Sequence, residues 1–167
     1  MKKILVLGSG GSGKSTFAVR LGAARGLEVI HLDARYWLPG WVEPTKEAWI
    51  ETVDRALAGE AWVMDGNYSG TLERRLAACD TVVLLDLPRW LCLLRVVRRT
   101  LAWRGRARPD MASGCPERFE PKFLLWVWNY GSRSRVRILE MLGRLAADKV
   151  VVRLRSRAEV ARFLAQA

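Results

Sequence analysis

The apolar positions of this chain form short runs of strand type, which alternate with longer stretches of helical period. Runs rich in aliphatic and β-branched residues predict five strands, at Lys3–Leu7, Glu28–Leu32, Ala61–Asp65, Thr81–Leu87 and Lys149–Leu154. The fourth run is apolar almost throughout, which is typical of a strand that is covered on both faces of a parallel sheet.

Helical patterns separate these strands. Apolar residues three or four positions apart predict helices at Lys14–Arg25, Thr45–Leu57, 88–103 and 121–147, and a capping box at Ser156–Glu159 begins a last one. Strands that alternate with helices imply parallel βαβ units. The pattern therefore predicts one α/β domain over residues 1–167, with a five-stranded parallel sheet and helices on both faces.

Two excursions interrupt the alternation. Residues 33–60 leave the second strand through a stretch at 33–44, whose prolines and glycine predict a loop. Residues 104–120 begin with Arg104–Pro116, which has no apolar period and is predicted to be a mobile loop. We expect both excursions to lie beside the sheet rather than to form a second domain.

A glycine-rich segment between the first strand and the first helix matches a phosphate-binding pattern. Gly8-Ser-Gly-Gly-Ser-Gly-Lys14-Ser15 fits G-x-x-x-x-G-K-[ST], and it stands between a strand and a helix as that motif requires. Its backbone N–H groups can surround a phosphate, Lys14 can contact the β and γ oxygens, and the Ser15 hydroxyl can ligate Mg²⁺. The motif assigns phosphate binding to Gly8, Ser9, Gly10, Gly11, Ser12, Gly13, Lys14, Ser15 and Thr16.

The rest of the sequence narrows the class of nucleotide-binding protein. A guanine-reading N-K-x-D segment is absent, since Asn67 and Asn129 are the only asparagines and each precedes a Tyr. The strand that runs into Asp86 lacks the Asp-Glu pair of motor-type ATPases. A small kinase fits what remains, because phosphoryl transfer requires mainly positioning, Mg²⁺ and cations around the transferred group.

Basic residues are concentrated in the second half of the chain. The formal net charge is +11, yet residues 1–87 carry 10 basic and 11 acidic side chains, whereas residues 88–167 carry 18 and 6. Such a field attracts a polyanion, which could be nucleic acid, a membrane surface or nucleotide phosphates. Seven arginines lie from Arg89 to Arg108, where a kinase needs cations that close over the phosphates.

These motifs resemble those of the nucleoside-monophosphate-kinase-like superfamily, which includes adenylate, shikimate and gluconate kinases. More closely, the chain resembles a bacterial group known as DNA topology modulation protein or adenylate kinase-like ATPase. The strings that carry this resemblance are His31-Leu-Asp33, Tyr36-Trp37, Pro39-Gly-Trp41, Asp65-Gly-Asn-Tyr68, Asp86-Leu-Pro-Arg-Trp90 and Arg108-Pro-Asp-Met111. The resemblance implies a P-loop NTPase fold, ATP and Mg²⁺ as cofactors, and an arginine-rich lid at residues 104–120.

The resemblance also implies roles for the arginines. Arg95 is expected over the adenine and Arg99 at the phosphates. Arg108 stands in an Arg-Pro pair like that of shikimate kinase lids, and Arg108, or Arg106 as second choice, is expected to stabilise the transferred phosphoryl group. Arg133, Arg135 and Arg137 alternate just after Gly131, and one or two of them are expected to face the phosphates when the lid closes, with Arg133 and Arg135 as the substrate-binding candidates.

Polar residues at two strand ends are candidates for the acceptor site. Asp33 ends the second strand and Asp65-Gly66-Asn67 ends the third, and the carboxyl ends of parallel strands line the ligand crevice. We expect them to hold a small acceptor, with Trp37 in the same pocket. Adenylate kinases have Pro-Arg after their Asp-Gly, where this chain has Asn67-Tyr68, which argues against AMP.

The predicted function is an ATP-dependent small-molecule or nucleotide kinase with Lys14, Asp33 and Arg108 or Arg106 as catalytic residues. Two alternatives stay open, a nucleic-acid-associated ATP-binding protein and a regulatory ATP-binding module with little turnover. Asp86 is either a Mg²⁺ ligand or a structural residue. The expected partners are ATP and a small acceptor; we expect a cytoplasmic monomer or weak dimer, with neither signal peptide nor membrane segment.

Overall fold

Five parallel strands form the centre of the molecule, as the sequence predicts. The computed structural model describes residues 1–145 and 147–166, and its sheet has the order β2-β3-β1-β4-β5. The strands are β1 (Lys3–Gly8), β2 (Glu28–His31), β3 (Trp62–Asp65), β4 (Thr81–Leu85) and β5 (Val150–Leu154). The register aligns Gly8 with Leu85 and His31 with Asp65, so the carboxyl ends of these strands share one edge.

Helices cover both faces of the sheet. They are α1 (Lys14–Arg25), α2 (Leu32–Tyr36), α3 (Lys46–Leu57), α4 (Leu72–Ala78), α5 (Arg89–Trp103), α6 (Pro121–Asn129), α7 (Ser134–Leu142) and α8 (Arg157–Ala165). Alternate residues of β1 divide the core, since Leu5 packs with α3, α4 and α7 while Val6 packs with α1 and α8. Among the described residues, no helix has both the length and the apolar composition to cross a membrane.

Two short helices lie where the sequence pattern gives no helix. Residues 32–36 form α2 within the predicted loop, and α4 fills the interval between β3 and β4. Both are a turn or two long, and periodicity is weak over so few residues. α4 is also atypical because its buried face contains Arg75 beside Leu72 and Leu76.

The single helix predicted at 121–147 is wrong. The structure has α6 and α7 there, separated by a 3₁₀ turn at Tyr130–Ser132, and residue 146 of the predicted span lies outside the described residues. Gly131 has low helix propensity, and the Ser132 hydroxyl donates to the carbonyl of Asn129 at 3.1 Å, which competes with helix continuation. The break turns α7 toward the sheet.

The segment at residues 104–120, which we call the lid segment, is attached to the first excursion. The backbone N–H of Gly40 donates to the carbonyl of Gly114 at 2.9 Å, and the indole of Trp41 donates to the carbonyl of Pro116 at 3.1 Å. Cys115 is buried and its thiol lies 3.2 Å from the carbonyl of Leu38. The lid segment therefore closes over the carboxyl edge of the sheet in this structure.

Helix α5 presents its apolar side to solvent. Trp90, Leu94 and Leu101 are 62%, 48% and 70% exposed, although they lie on the face that the sequence pattern marks as apolar. The inward face instead carries Cys92 and Val96, which pack against the glycine-rich segment and α6. This orientation places Arg95 and Arg99 of α5 near the glycine-rich segment.

Candidate active site

The glycine-rich segment forms a tight loop between β1 and α1, packed against two helices. A Cβ on Gly11, whose φ is +75°, would lie 2.2 Å from the carbonyl oxygen of Cys92. A Cβ on Gly10 would lie 2.7 Å from the ring of Phe123. Gly10 and Gly11 are therefore required because α5 and α6 approach the loop closely, apart from any need to leave room for a phosphate.

Asn67 fixes the beginning of this loop. Its side-chain oxygen accepts from the N–H of Gly8 at 3.3 Å, and its side-chain nitrogen donates to the carbonyl of Gly8 at 2.8 Å. The sequence predicts Asn67 as an acceptor ligand, but both ends of its amide are bound to Gly8. It lines the larger cavity described below while it holds the loop to β3.

Two cavities meet above the loop. Their volumes are about 500 Å³ and about 760 Å³. Lys14, Asp33, Arg99 and Arg108 line both, and we call these four residues the junction. They come from α1, α2, α5 and the lid segment, so distant parts of the chain supply opposite charges to one place.

The smaller cavity contains the loop and the start of α1. Ser15 and Thr16 line it together with apolar side chains of β4 and α8. Arg95 lies at its wall, where its guanidinium donates to the carbonyl of Ser12 at 3.2 Å. The cavity thus combines residues of the predicted phosphate-binding motif with a partly apolar wall.

The larger cavity has aromatic walls and a basic rim. Trp37 and Trp41 pack edge to face with centroids 5.3 Å apart, and Phe123 stacks on Trp126 at 5.7 Å. The three cations at its rim, apart from the junction, are Arg118, Arg133 and Arg137. Such a site suits an anionic ligand that also offers a flat or apolar surface.

Asp33 is oriented by a half-buried tyrosine, Tyr68. The hydroxyl of Tyr68 donates to Oδ1 of Asp33 at 2.7 Å, and burial, followed by the charge of Asp33, raises the pKa of Tyr68 so that the hydroxyl keeps its proton. Tyr68 has φ +30° and packs against Tyr36 and Trp49 with centroids 4.5 Å and 4.9 Å away. Among the described residues, no donor contacts the second carboxylate oxygen of Asp33.

A buried arginine holds the loop that carries Tyr68. The guanidinium of Arg75 is fully buried and donates to the carbonyls of Gly66, Asn67 and Tyr68. Burial lowers the pKa of Arg75 to about 10, so the side chain still carries its charge at neutral pH. Gly66, a predicted acceptor ligand, serves as one of these backbone partners and lines neither cavity.

Asp65 is occupied by another partner. It is 1% exposed, its Oδ2 lies 2.6 Å from Nδ1 of His31, and it lines neither cavity. The hydrogen bond that His31 donates to the carboxylate of Asp65 raises the pKa of His31, while burial opposes this effect. The structure therefore does not bring the predicted acceptor ligand Asp65 to the site, because the neighbouring strand supplies an imidazole to its carboxylate.

Two of the predicted arginines lie outside the cavities. Arg106 is exposed, and among the described residues its guanidinium has one hydrogen bond, to the carbonyl of Ala102 at 3.5 Å. Arg135 donates to Asp86 at 2.7 Å. Helical geometry explains the second case, since Arg133 and Arg137 are four residues apart and share a face that excludes Arg135.

Asp86 acts as an anchor for two arginines. Arg135 and Arg153 bind its two oxygens, and these hydrogen bonds hold the pKa of Asp86 below its usual range although burial alone would raise it. With both oxygens occupied, the carboxylate has the structural role that the sequence left open. This contact also accounts for Arg153, one of the basic residues far from the phosphate motif.

The sequence patterns missed Glu117. This carboxylate is 6% exposed, lies in the lid segment and contacts both Arg99 and Arg108. A signal was present, because Asp110 and Glu117 are the only acidic residues in the arginine-rich stretch 88–118. An acidic residue in a stretch so rich in arginine is expected to form an ion pair within the protein.

The residues present fit a nucleoside triphosphate with Mg²⁺. Two buried hydroxyls of the loop, on Ser9 and Ser12, have no hydrogen-bond partner among the described residues, which is typical of groups that bind a ligand. The amine of Lys14 has a single long contact within that part of the chain, 3.4 Å to the carbonyl of Ser9. Ser15 and Asp33 offer the oxygen ligands that Mg²⁺ prefers.

Comparison with known proteins shows the fold. No protein-family model and no curated sequence matches this chain. A sugar kinase from Janibacter sp. HTCC2649 aligns over 99% of this chain and 93% of its own, with 20% identity and a TM-score of 0.52. Shikimate kinase from Acinetobacter baumannii, solved with shikimate, aligns over 99% and 90%, with 15% identity and a TM-score of 0.60. The chain has an α/β fold of the P-loop kinase type.

Proposed function

We propose that this protein is an ATP-dependent small-molecule kinase whose acceptor reacts through a hydroxyl group. The observation that carries the proposal is the junction, where Lys14, Asp33, Arg99 and Arg108 line both cavities. One cavity contains the phosphate loop and the other has the aromatic walls. Three cations and one carboxylate at their meeting point are the groups that phosphoryl transfer to an alcohol requires.

The proposed reaction transfers the γ-phosphoryl group of ATP to the acceptor hydroxyl. The acceptor hydroxyl oxygen forms a bond to the γ-phosphorus of ATP, the bond to the β,γ-bridging oxygen breaks, and ADP leaves. The hydroxyl proton passes to the free carboxylate oxygen of Asp33, which Tyr68 holds in place. Ser15 would be a ligand of bound Mg²⁺, which would supply neutralisation of phosphate charge. Lys14, Arg99 and Arg108 stabilise the transferred group.

Asp33 also supports a hydroxyl rather than a phosphate as the attacking group. A phosphate oxygen attacks without a general base, and a carboxylate beside it adds repulsion. The arginines at the rim, Arg118, Arg133 and Arg137, suit an anionic group elsewhere on the acceptor. We therefore propose an anionic alcohol with a flat or apolar body as the acceptor class.

A panel assay tests this proposal. Purified protein is incubated with ATP and Mg²⁺ plus hydroxy acids, sugar phosphates, neutral sugars or nucleoside monophosphates, with an acceptor-free control for hydrolysis. We expect an anionic alcohol to give an acid-stable phosphate monoester and to raise ATP consumption above the control. Consumption that no acceptor changes would indicate an ATPase, and a nucleoside diphosphate product would indicate phosphate as the acceptor.

The nucleic-acid alternative, which the resemblance to the DNA topology modulation group suggests, has less support. Seven second-half arginines line the two cavities, namely Arg95, Arg99, Arg108, Arg118, Arg133, Arg137 and Arg157. Their position supports the binding of phosphate groups of a small ligand rather than the binding of a DNA duplex on an outer face. DNA binding that survives physiological salt, without transfer to any acceptor, would favour the alternative.

A further inference from the structure

Glu117 is the point at which two arginines of the junction meet. Its Oε1 accepts from Arg99 Nε at 3.3 Å, from Arg99 Nη2 at 3.2 Å and from the Thr100 hydroxyl at 2.9 Å. Its Oε2 lies 2.8 Å from Nε of Arg108. Both oxygens of one buried carboxylate therefore hold guanidiniums from two different segments, α5 and the lid segment.

The backbone of Glu117 is fixed as well. Its N–H donates to the carbonyl of Arg106 at 2.9 Å, and its carbonyl accepts from the N–H of Gly105 at 3.1 Å. These bonds attach the second half of the lid segment to the residues that directly follow α5. The carboxylate thus has a defined position relative to Arg99 and Thr100, which lie on α5 itself.

Electrostatics explains why a carboxylate is needed here. Burial and the nearby charge of Arg108 both lower the pKa of Arg99, which shows that the two guanidiniums are close enough to repel, and Glu117 opposes this effect. The side chains of Arg99, Arg108 and Glu117 are 25%, 10% and 6% exposed, so solvent screens the repulsion only in part. Asp110 adds a second, more exposed carboxylate to Arg108 alone.

The contacts leave one edge of each arginine open. Arg99 donates to Glu117 through Nε and Nη2, and Arg108 donates to Asp110 through Nη1. Nε of Arg108 forms an ion pair with Glu117 at 2.8 Å without hydrogen-bond geometry. Among the described residues, nothing binds Nη1 of Arg99 or Nη2 of Arg108, and both arginines line both cavities. A guanidinium held by two of its nitrogens can still bind phosphate oxygens through the third.

We propose that Glu117 is a positioning residue, whose carboxylate holds Arg99 and Arg108 side by side so that their open edges face the transferred phosphoryl group. This inference rests on the proposed kinase function and adds a residue that acts through the two arginines. Its contribution is preorganisation, since both cations are placed before the transition state forms.

The test compares E117Q with the wild-type protein and with D54N, which neutralises a carboxylate paired with the surface residue Arg74. We expect E117Q to lower kcat about 100-fold, the cost of a misplacement of about 1 Å, while the affinity for ADP with Mg²⁺ changes little. A second measurement is the affinity for ADP, Mg²⁺ and aluminium fluoride, a mimic of the transferred group. E117Q should lose most of the extra affinity for this mimic, and D54N should lose none.

Several outcomes overturn the inference. Equal losses of affinity for ADP and for the mimic would show a general structural role, and a gain in either kcat or mimic affinity would show that Glu117 competes with phosphate for the arginines. No change in E117Q, or a wild-type protein that does not prefer the mimic over ADP, would also overturn it. The R108A variant serves as a second background for E117Q. If E117Q lowers kcat as much in that background as in the wild-type protein, Glu117 does not act through Arg108.

Two arms keep the test decisive. If E117Q does not fold, T100V removes only the hydroxyl that donates to Glu117 and should give a smaller loss in the same direction, with an unchanged fold by circular dichroism. If the wild-type protein phosphorylates no acceptor but still prefers the mimic, and E117Q abolishes that preference, the kinase proposal fails while the positioning of the arginines stands.

Discussion

The hydroxyl of Tyr68 donates a hydrogen bond of 2.7 Å to Oδ1 of Asp33, across a distance of 35 positions in the chain. The tyrosine ring lies in an aromatic cluster with Tyr36 and Trp49, so the hydroxyl has little freedom to move. This bond determines which oxygen of Asp33 faces the junction. Orientation of a catalytic base by a third group is a recurrent feature of active sites.

Tyr68→Phe is expected to lower kcat about tenfold with little change in thermal stability. The ring and its packing remain, while Asp33 loses the donor that orients it and one hydrogen bond of about 1 kcal/mol. Steady-state kinetics and a thermal melt measure the two effects. Tyr36→Phe is the matched control, because Tyr36 lies in the same cluster but its hydroxyl does not contact Asp33. Equal losses of kcat in both variants would contradict the assigned role.

Arg108→Ala is expected to lower kcat about 100-fold or more, with a much smaller effect on ATP affinity. Arg108 lines both cavities, and removing one preorganised donor to developing charge typically has a cost of this size. Arg106→Ala removes an arginine two positions away that is exposed outside the cavities, and it should leave kcat near the wild-type value. A larger loss in the Arg106 variant would restore the second choice that the sequence offered.

Lys14→Ala is expected to weaken ATP binding by more than about 30-fold, the equivalent of about 2 kcal/mol. Its amine lies in the loop with only one long contact among the described residues, so we expect it to bind the phosphate. Isothermal titration calorimetry with ATP and Mg²⁺ measures the affinity. Lys46→Ala, at an exposed helix start, controls for loss of one positive charge. Retained affinity in the Lys14 variant would refute the assignment of the loop.

His31 should titrate with a midpoint above 6.5, because its hydrogen bond to Asp65 raises its pKa. Since the folded-state pKa exceeds the unfolded value, the pair stabilises the fold fully below about pH 6.5, and this stabilisation is lost as pH rises through the folded-state pKa. This is the only histidine, so NMR of its ring follows it without ambiguity. Asp65→Asn should move the midpoint down, and an unmoved midpoint would contradict the pairing.

Arg75→Met is expected to lower the free energy of unfolding by about 3 kcal/mol or more, since three carbonyls lose a buried donor. Chemical denaturation measures this change. The neighbouring Arg74 pairs with Asp54 at the surface, and Arg74→Met should have a cost below about 1 kcal/mol. Similar losses for the two neighbours would show that burial of Arg75 is not what stabilises the loop.

The phosphate loop and the sheet could be predicted from the sequence because both depend on local signals. The motif from Gly8 to Ser15 specifies its own backbone, and an apolar run such as Thr81–Leu85 identifies a buried strand without knowledge of its neighbours. The position of Asp33, Arg99 and Arg108 at the cavities could also be predicted, since strand ends and an arginine-rich segment lie at predictable places in this fold.

Roles that depend on a partner could not be predicted in this way. Asp33 and Asp65 both follow strands that end at the same edge, yet one borders the junction while the other is bound to His31. Arg106 and Arg108 differ by two positions in a segment without helix or strand, where no period indicates direction. Only the contacts made across the fold separate these residues.

The sequence by itself determined the five strands, the glycine-rich motif between β1 and α1 and the concentration of arginine in the second half, because these follow from residue type and spacing. Only the tertiary structure decided which charged side chains form ion pairs within the protein. Asp86 binds Arg135 and Arg153, and Glu117 binds Arg99 and Arg108. A charge becomes an anchor or a ligand according to what the folded chain places within hydrogen-bond distance, and that neighbour can be tens of residues away.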